Sequence, residues 1–92
     1  MADALYHGHA GNTGDALFWG KELGADIAHL SGYQGHGSLA TPQNIPITWV
    51  ILTEGGIQVN ARGERFANEL DGYSEAAPLV LSQPGKVAWN IY

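Results

Sequence analysis

Ile45-Pro46-Ile47-Thr48-Trp49-Val50-Ile51-Leu52-Thr53, followed by Glu54-Gly55-Gly56 and Ile57-Gln58-Val59-Asn60, is the stretch that sets the fold class. Its first nine residues are rich in β-branched side chains and read as a buried strand containing Trp49. Gly55-Gly56 punctuates that strand. Ile57 to Asn60 then alternates apolar and polar, as a half-buried strand should. Asn60-Ala61-Arg62-Gly63 has Asn at the first and Gly at the fourth position of a type I turn, leading into Glu64-Arg65-Phe66.

Working outward, helices flank this β region. Asn12-Thr13-Gly14-Asp15 has small capping side chains and then an acid in the first turn, the signature of a helix start. Ala16, Trp19, Gly20, Leu23 and Ile27 follow at helical spacing, with Gly24 as a stop. Residues 31–44 read as a long loop of glycines, prolines and amides, a kind of segment that in small domains is functional or disordered. Ser74 to Gln83 forms a second helix, whose Pro78 is tolerable in a first turn and so moves the start toward Ala77. Gln83-Pro84-Gly85 ends it, and Val87, Trp89 and Ile91 share one face of a final strand. The class is therefore α+β: a small mixed sheet or hairpin with two helices.

Composition bounds the function. Apolar residues make up 45% of the 92, enough for a core. A chain this short buries only about 60–65% of its unfolded surface, so its independent stability is marginal. Four Lys/Arg against nine Asp/Glu leave a net charge of -5, which argues against nucleic acid as a partner. The absence of cysteine excludes disulfides and thiolate metal sites. The first residues lack the pattern of a signal peptide. The longest strongly apolar stretch falls well short of the roughly 18–20 residues of a membrane span. A soluble, cytoplasmic protein is expected.

Three groups of residues could carry chemistry. Glycines ahead of a helix start, in Gly8-His9-Ala10-Gly11-Asn12-Thr13-Gly14-Asp15, can expose backbone N–H groups to an anion or a polar cofactor, or can be a plain turn feeding a capped helix. His7 and His9, with His29 and His36 elsewhere, could ligate a metal, but their spacing fits no standard site and no metal is expected. His36, Thr48 and Tyr73 could act together: the histidine and threonine donating to a carboxylate or carbonyl, the tyrosine passing a proton. Each could equally be structural, and nothing local joins them.

A resemblance to a known family rests on Asn12-Thr13-Gly14-Asp15, Tyr33-Gln34-Gly35-His36, Thr53-Glu54-Gly55-Gly56-Ile57-Gln58-Val59-Asn60 and Gly63-Glu64-Arg65-Phe66-Ala67-Asn68-Glu69. These resemble the T-G-D-G, Q-x-H-P-T, T-E-A-x-R-G and G-I-L-V-N-x-x-G-x-R-F-x-N-E motifs of FAD-dependent fumarate reductase/succinate dehydrogenase flavoproteins, a family that includes ketosteroid dehydrogenases. The match covers nearly the whole chain, and the I-x-V-N-x-x-G-x-R-F-x-N-E string is specific as a combination.

The resemblance implies a fragment of a larger enzyme: residues 1–30 resembling the tail end of the FAD-binding domain, and residues 31–92 part of the substrate-capping domain. It further implies that Asp15, with Thr13 and Gly14, contacts FAD in the intact family, and that the isolated chain does not hold the cofactor. His36 and Thr48 match the ligands of a substrate carboxylate, with Gly37-Ser38 in place of the usual P-T. The family's charged proton path falls on Trp49, Leu52 and Tyr73, which puts fumarate reduction by the usual route in doubt. Ketosteroid dehydrogenases have a tyrosine in the last neighbourhood. The implied chemistry is therefore oxidation or reduction of a C–C bond beside a carbonyl or carboxylate in a small-molecule substrate. Tyr73 is the implied proton donor or acceptor, and Trp49 and Leu52 are expected to line a less polar pocket for a larger substrate. The alternative is a stand-alone, non-catalytic module that binds a partner or self-associates as a homodimer, with a metal-binding role for His7 and His9 behind both.

Overall fold

The computed structural model describes residues 4–92. In chain order its elements are helix α1 (Asp15–Glu22), strands β1 (Leu39–Ala40) and β2 (Ile45–Pro46), helix α2 (Val50–Thr53) and strand β3 (Ile57–Val59). A 3-10 turn (Glu69–Asp71), helix α3 (Tyr73–Leu81), a second 3-10 turn (Pro84–Lys86) and strand β4 (Trp89–Ile91) complete it. The α+β class holds, built on two separate two-stranded antiparallel sheets, β1–β2 and β3–β4.

The expected helix start at Asp15 is present, but it is not capped by a side chain. Gly14 caps it in the left-handed conformation, φ 84°, and the Thr13 hydroxyl donates instead to the Asp15 carboxylate, 2.9 Å away. The helix stops about two turns later, at Glu22, and Gly24, again at φ 84°, carries the chain out of it. None of its residues is buried, and Trp19 remains 64% exposed. Residues 4–34 bury nothing, and the molecule measures 52 × 25 × 21 Å. Its radius of gyration of 16.4 Å exceeds the roughly 12 Å of a compact chain this long.

Three expectations are corrected. First, residues 45–53 do not form one buried strand. Ile45 and Pro46 are an exposed strand paired with Leu39 and Ala40, and Val50 to Thr53 is a helical turn. Trp49 and Leu52 lie three apart, so a helical turn puts both on one face, where they pack with Ala76 as the apolar core. That shared burial overrides the strand preference of Val50 and Ile51. Residues 31–44 accordingly hold β1 and the turn into β2 rather than one unstructured loop.

Second, the alternation of Ile57 to Asn60 runs opposite to the hydrophobic rule. Gln58 and Asn60 are the buried residues, at 1% and 3% exposure, while Ile57 and Val59 are half-buried. Across the ladder, Trp89 and Ile91 do share a face, but it points outward and Asn90 faces Gln58. Third, α3 begins at Tyr73, and Pro78 lies inside it rather than in its first turn. Proline there withholds the N–H that the Ser74 carbonyl would otherwise accept.

The apolar core is small: Trp49, Leu52, Ala76 and Ala77 are its buried members. Four polar residues, Ser38, Gln58, Asn60 and Glu69, are buried as deeply, so hydrogen bonds carry much of the specification.

Candidate functional site

The loop Gln34–Ser38 has no apolar side chain to anchor it, and polar ties hold it instead. The Gly37 N–H donates to the Tyr73 carbonyl at 2.9 Å, and the Ser74 hydroxyl to the Gly35 carbonyl at 3.3 Å. The loop is thereby laid across the first turn of α3. Gly37 permits this approach, because a Cβ there would meet the Ala76 Cβ at 2.6 Å.

The result brings together two of the three residues singled out from sequence. The His36 and Tyr73 rings stack, with centroids 5.0 Å apart and planes inclined by 23°. Gln34 donates through Nε2 to the Tyr73 hydroxyl oxygen at 3.0 Å, which leaves the phenolic proton free to donate elsewhere. The Ser38 N–H donates to His36 Nδ1 at 3.3 Å, so in the neutral ring the proton sits on Nε2. Both rings are partly open to solvent, Tyr73 at 37%. Each of the two stacked rings thus keeps a hydrogen-bond donor that these contacts do not use.

The other candidates lie elsewhere. Thr48 is exposed and follows Ile47, whose N–H donates to the Ser38 carbonyl at 3.0 Å. That ties the segment after β2 to the loop, while no hydrogen bond joins Thr48 to either ring. Thr13, Gly14 and Asp15 form the exposed turn at the start of α1. His9 commits Nδ1 to the Gly11 N–H at 2.9 Å, and among the described residues no three His, Asp or Glu side chains converge. Trp49 and Leu52 are core residues, the Trp49 indole N–H donating to the Glu69 carbonyl at 3.0 Å.

A buried polar frame backs the site, and sequence reading passed over most of it. The Glu69 carboxylate accepts the Gln58 backbone N–H at 2.8 Å and is clasped by Arg65 through Nε and Nη2. Burial pushes its pKa up, but the Arg65 and Gln58 hydrogen bonds outweigh that and hold it below its usual value, while Glu69 in turn raises that of Arg65. Asn60 Oδ1 accepts the N–H groups of Arg62 and Glu64, Gly63 turns at φ 77°, and Asn68 caps the 3-10 turn by accepting the Leu70 N–H. Glu64 is held below its usual pKa by Asn60 and Arg62. The string Asn60 to Glu69, which carries most of the family resemblance, is thus a scaffold. The signal that could have revealed it was Arg65 and Glu69 at i,i+4, next to amides in alternating positions of a strand. A shallow cleft of about 260 Å³ opens beside this scaffold, between Leu52, Gly56, Arg65 and Leu70.

No helix among the described residues is long and apolar enough to cross a membrane. Comparison with known proteins agrees with the motifs. Over 92 residues, all of this chain, it is 32% identical to a probable fumarate reductase of Shewanella frigidimarina, covering 16% of that protein. Over 82 residues, 89% of the chain, it is 30% identical to fumarate reductase (cytochrome) of Shewanella frigidimarina, covering 14% of it. Over 84 residues, 91% of the chain, it is 25% identical to NADH:fumarate oxidoreductase of Klebsiella pneumoniae, covering 9% of it. No family model and no solved structure matches the chain. The chain therefore spans about a sixth or less of the curated relatives it matches, and it is related to the fumarate reductase flavoproteins along that one segment of their length.

Proposed function

We propose that this chain is a substrate-side segment of a flavin-dependent oxidoreductase acting on a C–C bond beside a carbonyl or carboxylate. The observation that carries the reading is the His36–Tyr73 stack, in which each ring has one polar atom committed and one donor free. His36 Nε2–H grips the substrate oxygen, and Thr48 donates to the same group once substrate draws it in. Reduction of a C=C bond adds one hydride and one proton, and oxidation removes the same pair. Tyr73 Oη supplies or accepts that proton and exchanges it with solvent. A bound flavin supplies the hydride acceptor or donor.

Residues 1–30 belong to the flavin side in this reading and residues 31–92 to the substrate cap. Asp15 fits the cofactor's N–H and hydroxyl donors rather than its phosphates: it is an exposed acceptor steadied by Thr13, beside a Gly14 that has no side chain. The burial of Trp49 and Leu52 supports a path in which no charged relay reaches Tyr73 through them, as a substrate less charged than fumarate would need.

The test is a titration of the chain with fumarate and, separately, with a cyclic enone, followed by proton–nitrogen and aromatic NMR. Shifts centred on His36 and Tyr73 at millimolar ligand are expected. No perturbation there with either ligand would overturn the reading.

A second reading is favoured by the exposed apolar surface. Phe18, Trp19 and Trp89 are all more than 60% exposed and Tyr92 is 90% exposed, against a core of four buried apolar residues among those described. Such surface suits a module that docks on another protein surface or on its own copy.

A further inference from the structure

Gln58 is the most deeply buried large side chain described, and it stands where the β3 alternation could have placed an apolar residue. Both protons of its amide are committed: Nε2 donates to the Gly37 carbonyl at 3.1 Å and to Asn90 Oδ1 at 3.0 Å. Its Oε1 is buried with no partner. Turning the amide over would set that oxygen against two acceptors, so the orientation is forced and the orphan oxygen is its consequence. A buried acceptor left unpaired works against stability, and an apolar side chain would avoid it.

What the arrangement secures is the loop that carries His36. Asn90, directly across the ladder from Gln58, donates through Nδ2 to Ser38 Oγ at 2.6 Å. Gln58 and Asn90 together thus hold Gly37 and Ser38, the two residues that follow His36. The Ser38 N–H is the group that meets His36 Nδ1 and so sets which ring nitrogen bears the proton. We infer that Gln58, braced by Asn90, is a positioning residue that fixes the loop after His36 so that the imidazole keeps Nδ1 inward and presents Nε2–H to substrate oxygen. This rests on the reading of His36 as an oxygen-binding donor, but its effect on the ring exists without any ligand.

The test uses the complete chain with nitrogen-labelled histidine. In the parent, long-range proton–nitrogen spectra at pH 8 are expected to show His36 as a single Nε2–H tautomer, with cross-relaxation between the His36 and Tyr73 rings. Gln58→Leu, which keeps bulk but cannot donate, should move the His36 nitrogens toward the averaged shifts of a free imidazole and reduce the inter-ring signal at least twofold. Asn90→Ala should do the same from the other strand, and it serves alone if Gln58→Leu does not fold. Asn90→Asp can still accept from Gln58 and can take the Ser38 hydroxyl as a donor, so it should restore the parent spectrum. An unchanged His36 signature in a folded Gln58→Leu or Asn90→Ala chain overturns the proposal, as does an averaged tautomer in the parent. Failure of the substrate reading looks different: the variants move His36 as stated, while fumarate and the enone perturb nothing.

Discussion

Gly37 sits against Ala76 so closely that a Cβ on the glycine would lie 2.6 Å from the alanine Cβ and 3.1 Å from backbone atoms of residues 76 and 77. Neither neighbour can rotate away, because one is a methyl stub and the other is helix backbone. Gly37→Ala should therefore lift the loop from α3, costing about 1–3 kcal/mol of stability as overpacking does. Gly37→Pro, which restores the residue usual in the related motif, should cost more. It adds the same collision and deletes the N–H that donates to the Tyr73 carbonyl. Urea midpoints would measure the loss, and a proline variant as stable as the parent would show that the loop is not seated on α3 as described.

How far the fold was legible from sequence depends on which contacts are local. The α1 start, the Asn60–Gly63 turn and the Ile57–Val59 strand are written in neighbouring residues, and all three are present. The α2 turn is not, because Val50 and Ile51 favour a strand, and only packing of Trp49 and Leu52 on Ala76 decides otherwise. The inward amides of Gln58 and Asn60 run against the rule of apolar burial, because their partners Gly37, Asn90 and Gln83 come from distant segments. The meeting of His36 with Tyr73 is likewise a long-range event. No spacing rule foretold it, and the family resemblance had placed the two in one site.

Glu69 gives the chain a signature in acid. Burial raises its pKa, the Arg65 and Gln58 hydrogen bonds lower it further than burial raises it, and the folded value lies below the usual 4.5. Between those two values the unfolded state binds more protons than the folded one, so stability rises with pH there. The contribution is complete above the unfolded pKa and is lost as pH falls through the folded one. Urea midpoints measured from pH 7 down to pH 3 should decline below about pH 4.5 for the parent. Glu69→Gln, whose amide cannot clasp Arg65 as an acceptor pair, should be less stable at pH 7 by about 1–3 kcal/mol, read as a lower urea midpoint. Its midpoint should also change less with pH, and parallel pH profiles for the two chains would exclude Glu69 as the titrating group.

Strand β4 bears on association. One edge pairs with β3, while Trp89 and Ile91 hold their side chains 63% and 52% exposed. A strand edge with apolar neighbours recruits another strand, and a second copy of the chain supplies one. Light scattering should register a dimer at high micromolar concentration. Trp89→Lys, which places a charge on that outward face, should shift the equilibrium toward monomer at least tenfold. A clean monomer for the parent at the highest attainable concentration rules out self-association as the role of this surface.

The chemistry itself is tested at Tyr73. The phenol oxygen accepts from Gln34, so its proton points away from that partner, and the ring lies on His36 whether or not the hydroxyl is present. Tyr73→Phe should therefore keep the stack and remove only the proton. In a protein that carries this chain together with a complete flavin site, the variant should lose roughly 10²–10⁴-fold in turnover, the span of general acid–base catalysis. Its flavin spectrum should stay that of the parent, because Thr13, Gly14 and Asp15 are untouched. Mixed with FAD and then desalted, the 92-residue chain alone should show no retained flavin band, since its proposed contacts form a single exposed turn. Turnover within threefold of the parent in Tyr73→Phe would move the proton to another donor and leave the tyrosine a packing partner of His36.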